Sequence, residues 1–461
     1  MHSSDNATSQ TKAMFAAYYR CLDHHIELDS VDLQPAVEGF FRFGPNATCY
    51  GSCLTGPTAR SADAHLYDCL GDTLLTPGSV RVPFDPARIV ENLRTERYAS
   101  AEQAPNRLGR LFLRDAYYIL RPATPSTIRT RIQRMYYRNW RNLGFPRWPV
   151  DFTVDRILQT VLLLLLRSNP GKDIPFIWFW PDAHSSCAIM THDIETECGR
   201  SFCPQLMDMN DSFRIQAAFQ VIPERRYRVT DSFLRSLLVR GNEINVHDLN
   251  HDGRLFRTRQ TFVERARKIN EYARAWGAQG FRAGAMYRRP EWFDVLDVAY
   301  DMSVPNVAHM EPQRGGCCTV MPYFVNNNLL ELPLTTTQDF ALFHVLRQNT
   351  LDHWKSQIAQ ISAEHGLISF IVHPDYITRP DQRRLYLELL AHLSMLRTHE
   401  HLWITLPSEV NEWWRRRAAM NLVRRGDRWA VEGPGSDRAR VAYARLVDDT
   451  LRYEVEAPVC A

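Results

Sequence analysis

Between Ile174 and Arg417 the chain alternates six or seven times between a short apolar run and a longer stretch with apolar residues at three- and four-residue spacing. That rhythm restricts the fold more than any other feature of the sequence. A strand, a helix and a second strand in series return the second strand parallel to the first. Several such units build one parallel sheet that closes, or nearly closes, into a barrel. The expected strands are 186–190, 214–221, 243–246, a short run from Phe281, 329–334, 367–372 and 402–405. The expected helices are 231–240, 258–276, 291–300, 351–365, 382–396 and 408–417. Long connections remain at 196–213 and 303–328, and loops of that length beside a site shape a substrate groove.

Three of these strands end in groups with chemistry. The first runs into Thr191-His192-Asp193-Ile194-Glu195, the second into His247-Asp248-Leu249-Asn250-His251, the third into Val372-His373-Pro374-Asp375. In α/β folds a site is built at the C-terminal ends of the strands. His247 and His251 are four apart, but Asn250, Asp252 and Gly253 form turns, so the pair belongs to a loop after a strand rather than to a helix. Two neutral imidazoles and one carboxylate make a three-ligand set for a divalent metal, most simply zinc, with one position left for water. Asp193 and Glu195 are two apart and so share a face of their strand. One can ligate the metal while the other takes a proton, and the two roles can be exchanged. His373 can return a proton to a leaving amine if a carboxylate raises its pKa. Asp375 or an acid from another strand can do that.

In order and spacing these segments resemble the polysaccharide deacetylases (NodB-homology, carbohydrate esterase family four). The resemblance covers roughly residues 174–418 and rests on T-H-D-I-E at 191–195, H-D-L-N-H at 247–251, F-R-A-G at 281–284 and V-H-P at 372–374. It implies a distorted (β/α) barrel of about seven strands and a hydrolase that removes N-acetyl groups from the sugars of a polysaccharide or glycan precursor. By the same resemblance Asp193 is the base, and Glu195, His247 and His251 are the metal ligands. His373 is the acid, Arg282 orients the base, and Glu331 lines the substrate groove with Asp375. The family more often has two adjacent aspartates in the first motif and a proline two residues after the arginine; here Ile194 and Gly284 stand at those places. Two other readings compete: an amidohydrolase on a small non-sugar C–N substrate, favoured by a closed pocket, and a glycan-binding barrel without turnover.

Around the barrel, 1–150 is read as a mixed α+β region of unassigned role, 151–173 as a connecting helix capped by Asp151, 174–420 as the barrel and 421–461 as a small β appendage. A net charge of +3 gives no reason to expect nucleic acid as a partner. Ten cysteines without a CxxC pair read as buried thiols in a reducing compartment. Arg129, Arg131, Arg134, Arg138 and Arg141 alternate with Ile128, Ile132, Met135 and Tyr136, a basic amphipathic helix. It is either a solvated face or a peripheral contact with an anionic membrane surface or glycan. The polar first twenty residues contain no secretory signal, and the longest apolar run, 161–166, is far too short to span a bilayer. The expectation is a cytoplasmic enzyme, with room for attachment at the inner membrane surface.

Overall fold

The structure is a computed structural model that describes residues 2–22, 28–30, 37–99, 131, 135, 137, 139–326 and 328–456. The chain divides into two compact units: Met1–Glu102 with Phe152–His184 and Glu412–Ala461, and Gln103–Asp151 with Ser185–Asn411. Most of the basic stretch at 128–141 lies outside the described residues. Within it Met135 is exposed and Tyr137 buried. No helix of the described residues is long and apolar enough to cross a membrane.

The second unit contains the barrel. Its strands are β1 (Ser186–Ile194), β2 (Ala218–Val221), β3 (Glu243–His247), β4 (Gly280–Arg282), β5 (Tyr300–Asp301), β6 (Tyr323–Val325), β7 (Leu329–Glu331), β8 (Leu367–Ile371) and β9 (Leu402–Thr405). They form one sheet in the order β6-β7-β5-β4-β3-β2-β1-β8, with β9 also on β1. Eight of them run parallel and only β6 is antiparallel, against β7. Against the about seven strands expected, eight run parallel, and the antiparallel β6 lies in the stretch 303–328 read as a connection. The missing parallel strand is β5, two residues long and too brief to leave a period; the helix expected at 291–300 is only a 3₁₀ turn, Pro290–Val295.

All nine residues of β1 are buried, as suits a strand covered on both faces. It pairs with β8 through 187–191, with β9 through 186–189 and with β2 through 191–194. After β7 the chain comes alongside β8: Thr336 N donates to Ser369 O at 3.3 Å, and the Thr335 hydroxyl donates to Leu367 O at 2.7 Å. Those bonds curl the sheet back on itself.

The helices of this unit are α1 (Glu197–Ser212), α2 (Asp231–Leu238), α3 (Arg259–Trp276), α4 (Asp352–Ala363) and α5 (Pro380–His399). α1 corrects the reading of 196–213 as a loop. Pro204 inside it hides the helix in the sequence, while the Thr196 side chain caps it by accepting from Gly199 N. α3 is capped by Thr258 and stopped by Gly277 at φ +67°, a left-handed position that a glycine occupies without strain. Phe262, Ala266, Ile269 and Ala273 of α3 pack with Val246 and Phe281, which anchors β3 and β4 side by side.

In the first unit, Ile174–Ile177 pairs antiparallel with Val441–Val447, which pairs with Thr450–Val455. The strand at 174, read from sequence as the start of the barrel, therefore belongs with the terminal strands. The helix Thr153–Ser168 also lies here, and its N-cap is Phe152 without a side-chain bond. Asp151 is not the cap: its carboxylate accepts from Arg147 N at 2.5 Å and its own N–H donates to Asn306 Oδ1 at 2.8 Å. Arg417 is buried and donates to the carbonyls of Tyr18, Tyr19, Ile177 and Trp178.

Candidate active site

The ends of β1, β3 and β4 bring three side chains to one place. Asp193 is the next-to-last residue of β1, His247 the last of β3 and Arg282 the last of β4, with Arg282 in register with His247. Period two sends Thr191 and Asp193 to the barrel interior and His192 the other way. The buried Arg282 guanidinium closes on the inward pair, donating to Asp193 Oδ1 at 2.5 Å, Thr191 Oγ1 at 2.7 Å and, through Nε, Met302 O at 3.1 Å. Burial works against the Asp193 charge, but Arg282, His247 and His373 outweigh it and hold the carboxyl below the usual range. His192 ties helices to the sheet. Its Nδ1–H donates to Val372 O at 2.9 Å and its Nε2 accepts from the Asn210 amide at 3.0 Å.

Beyond these strand ends, Glu195, His247 and His251 offer ligand atoms that all lie within 4.8 Å of one another, the one such group of three found among the described residues. His247 Nδ1–H donates to Arg282 O at 3.1 Å, which fixes the tautomer and leaves Nε2 as a lone pair. Burial pushes the His247 pKa down to about 4, so the ring is neutral at pH 7. Its Nε2 is buried without a hydrogen bond, and so are both nitrogens of His251. His251 Nε2 nevertheless stands 3.1 Å from Glu195 Oε1. Buried lone pairs facing a carboxylate are costly unless a cation lies between them, so these three residues fit a divalent metal. Asp193 Oδ2 is 3.6 Å from His247 Nε2, beside this set but outside it.

On the other side stands His373, two residues past β8. Asp339 holds it at two points: Oδ1 accepts from the ring Nδ1 at 2.6 Å and Oδ2 from the backbone N at 2.7 Å. Its Nε2 points to the site, 3.8 Å from Glu195 Oε1. Burial lowers the imidazole pKa, but Asp339, Glu195 and Asp193 outweigh it and push it up to about 10. Tyr376 packs on His373 with ring centroids 5.0 Å apart, and Phe340 and His344 pack on Tyr376, making a half-buried aromatic rim.

Asp193, Glu195, His247, His251, Arg282 and His373 thus come together, whereas the two acids expected in the groove have partners of their own. Glu331 is fully buried on the inward side of β7, in register with Asp301, and its Oε1 accepts from Val304 N at 3.0 Å. Asp375 accepts from the Thr196 hydroxyl and from Glu195 N, so it fixes the backbone that carries Glu195. The residue the sequence reading missed is Asp339. Its only signal is a single acid a few residues past a strand, in Thr335-Thr336-Thr337-Gln338-Asp339.

Gly284 sets the space for the second histidine. A Cβ there would stand 2.6 Å from Asp248 Oδ2, 2.9 Å from His251 Cδ2 and 3.2 Å from His251 Cγ. Gly284→Ala therefore displaces the His251 ring. The expected loss is about 10–100-fold in metal affinity, as for other changes that reorient a ligand. Competition with a chromophoric chelator measures it, and unchanged affinity in a folded variant would show that His251 does not bind metal.

No family model and no curated protein matches the chain. Solved structures do. A protein from Mycobacterium smegmatis described as a polysaccharide deacetylase matches at 16% identity and a TM-score of 0.42, covering 55% of this chain and 98% of its own. The allantoinase Puue matches at 14% and 0.42, covering 59% and 98%. The peptidoglycan deacetylase PdaC from Bacillus subtilis matches at 11% and 0.35, covering 52% and 96%. At these scores the function has to be argued from the chain's own side chains.

Proposed function

We propose that the chain is a metal-dependent hydrolase that removes N-acetyl groups from the sugars of a polysaccharide or glycan precursor. The observation that carries this reading is the convergence of Glu195 with the unpartnered ring nitrogens of His247 and His251. A divalent cation held there, zinc being the simplest choice for two imidazoles and a carboxylate, would act as a Lewis acid on the acetamide oxygen and acidify water.

The residues of the chain supply the rest. Asp193, kept ionised by Arg282, is the base that takes a proton from the attacking water. One charge-assisted bond from Arg282 Nη1 to Oδ1 orients that carboxylate and leaves Oδ2 turned to the site. His373, kept protonated by Asp339, delivers a proton from Nε2 to the departing amine. An acid and a base with oppositely shifted pKa values, one each side of a cation site, are what amide hydrolysis at neutral pH requires. The aromatic rim of Tyr376, Phe340 and His344 beside His373 suits the apolar face of a sugar ring.

Metal-loaded protein is expected to release acetate from acetylated chito-oligosaccharides, to stop after chelation and to resume when divalent metal is restored. Absence of acetate from every acetylated glycan tried, with one equivalent of metal bound, would reject the deacetylase reading. Hydrolysis of a small cyclic amide by the same preparation would support the amidohydrolase alternative.

A further inference from the structure

Two stretches of chain lead away from the paired Asp339 and His373. One continues from Asp339 into Phe340, whose N–H donates to Asp339 Oδ1 at 2.8 Å, and on to Asn349. The other continues from His373 through Tyr376, whose N–H donates to His373 O at 3.1 Å, into the start of α5. Residues of both line a cavity of about 420 Å³, within the range of about 300–1,000 Å³ that holds small ligands. His344 joins this cavity to the active site. It is part of the cavity wall, its ring is 5.1 Å from that of Tyr376, and the Tyr376 ring is 5.0 Å from His373.

The wall is rich in carboxamides. Gln348 and Asn349 come from the first stretch and Gln382 from the second. Gln382 is only 7% exposed, yet its side-chain amide has no hydrogen-bond partner among the described residues. A buried amide in that condition is costly, and a ligand that bonds it removes the cost. The side-chain amides of Gln348 and Asn349 are likewise without partners among the described residues. The two cations on the wall are paired: Arg379 donates to Asp381 at 3.1 Å and Arg384 to Glu388 at 2.9 Å. The cavity therefore offers neutral donors and acceptors rather than free charge. Phe343 and Leu385 add apolar surface. A carboxamide both donates and accepts, which matches the hydroxyl and acetamide groups of an amino sugar, and the apolar surface matches the face of its ring.

Resting on the deacetylase reading above, we propose that this cavity is a second sugar subsite. It holds a neighbouring residue of the same N-acetylated glycan, whose chain passes over the Tyr376 and His344 rings, and so selects an oligomer over a single sugar. The test uses metal-loaded Asp193→Asn protein, which lacks the base and so binds without turnover. It is titrated calorimetrically with N-acetylglucosamine and with tetra-N-acetylchitotetraose. The parent should bind the tetrasaccharide at least about tenfold more tightly than the single sugar. Adding Gln382→Leu should weaken the tetrasaccharide about tenfold, the loss of one or two hydrogen bonds, and leave the single sugar unchanged. The melting temperature should not fall, because leucine replaces an amide that has no partner to lose. If that variant does not fold, Asn349→Ala, at an exposed position, takes its place under the same criterion.

A tetrasaccharide bound no better than N-acetylglucosamine, or bound equally by parent and variant, overturns the inference and spares the deacetylase reading. An equal loss for both ligands also overturns it, since the cavity would then not be a site apart from the metal. No binding of either ligand by the parent overturns the glycan reading and this inference with it.

Discussion

His247→Ala is expected to lose its divalent metal and keep its fold. The ring supplies one of three ligand atoms, and its Nε2 has no other partner. Binding free energies at structural zinc sites are on the order of 10–16 kcal/mol. Losing a third of that removes about three decades of affinity or more. The fold should survive, because truncating a buried side chain at the end of a strand costs roughly 2–4 kcal/mol. That is less than the roughly 5–15 kcal/mol of a typical domain. Inductively coupled plasma analysis after gel filtration gives the metal, and circular dichroism the fold. The wild type should carry one equivalent and the variant almost none. A folded His247→Ala protein that still held one equivalent would place the metal elsewhere and remove the basis of the proposed chemistry. The neutral tautomer of His247 adds a second expectation. The ring has no proton to shed at pH 7, since burial holds its pKa near 4, so metal uptake there should not be limited by its deprotonation.

The sequence makes the metal set legible because its members are local. His247 and His251 lie in one loop, Asp193 and Glu195 on one strand end, and the apolar runs ahead of them fix which end of the sheet they reach. Spacing along the chain is enough to assemble such groups. The partner of His373 is not local. Asp339 is 34 residues away, brought to the imidazole because the chain after β7 runs alongside β8. Only the parallel pairing carries that information, so the sequence leaves the partner open between Asp375 and an acid from another strand.

Glu331 shows a different limit. The resemblance implied a groove position for this acid, and carboxyls are seldom buried. Here the inward face of the barrel also holds Asp301, the Val304 N–H and Arg282, and it takes the acid in. α1 was hidden for a third reason. Pro204 and the glycine and polar residues near its start read as a loop, while the cap at Thr196 and the buried Phe202, Leu206 and Met207 outweigh them once packed.

The second large effect concerns His373 and its partner. If His373 is the general acid, His373→Ala should lower turnover by about 10²–10⁴ while leaving the metal in place, because the ring is outside the ligand set. Asp339→Asn is the more discriminating change. Asp339 raises the imidazole pKa through its charge and its hydrogen bond, against the burial that lowers it. A group raised in this way stabilises the fold fully below its unfolded pKa of about 6.5. That stabilisation is lost as pH rises through the folded value, about 10.

The acid is competent only while protonated, so the basic limb of the activity profile follows the same titration. A cation beside the ring repels the proton and sets that limb somewhat lower. Asparagine can still accept one of the two N–H groups but brings no charge, so the limb should move to lower pH by roughly one to three units. Turnover near pH 6 should suffer less than turnover near pH 8, and metal content should not change. Asp193 stays ionised across this range, held down by Arg282, so the acidic side of the profile should keep its position in the variant. A profile of kcat against pH for the two proteins decides the matter. If both limbs of Asp339→Asn coincide with those of the wild type, His373 does not donate the proton, and its contact with Asp339 serves to hold the end of β8 to the chain after β7.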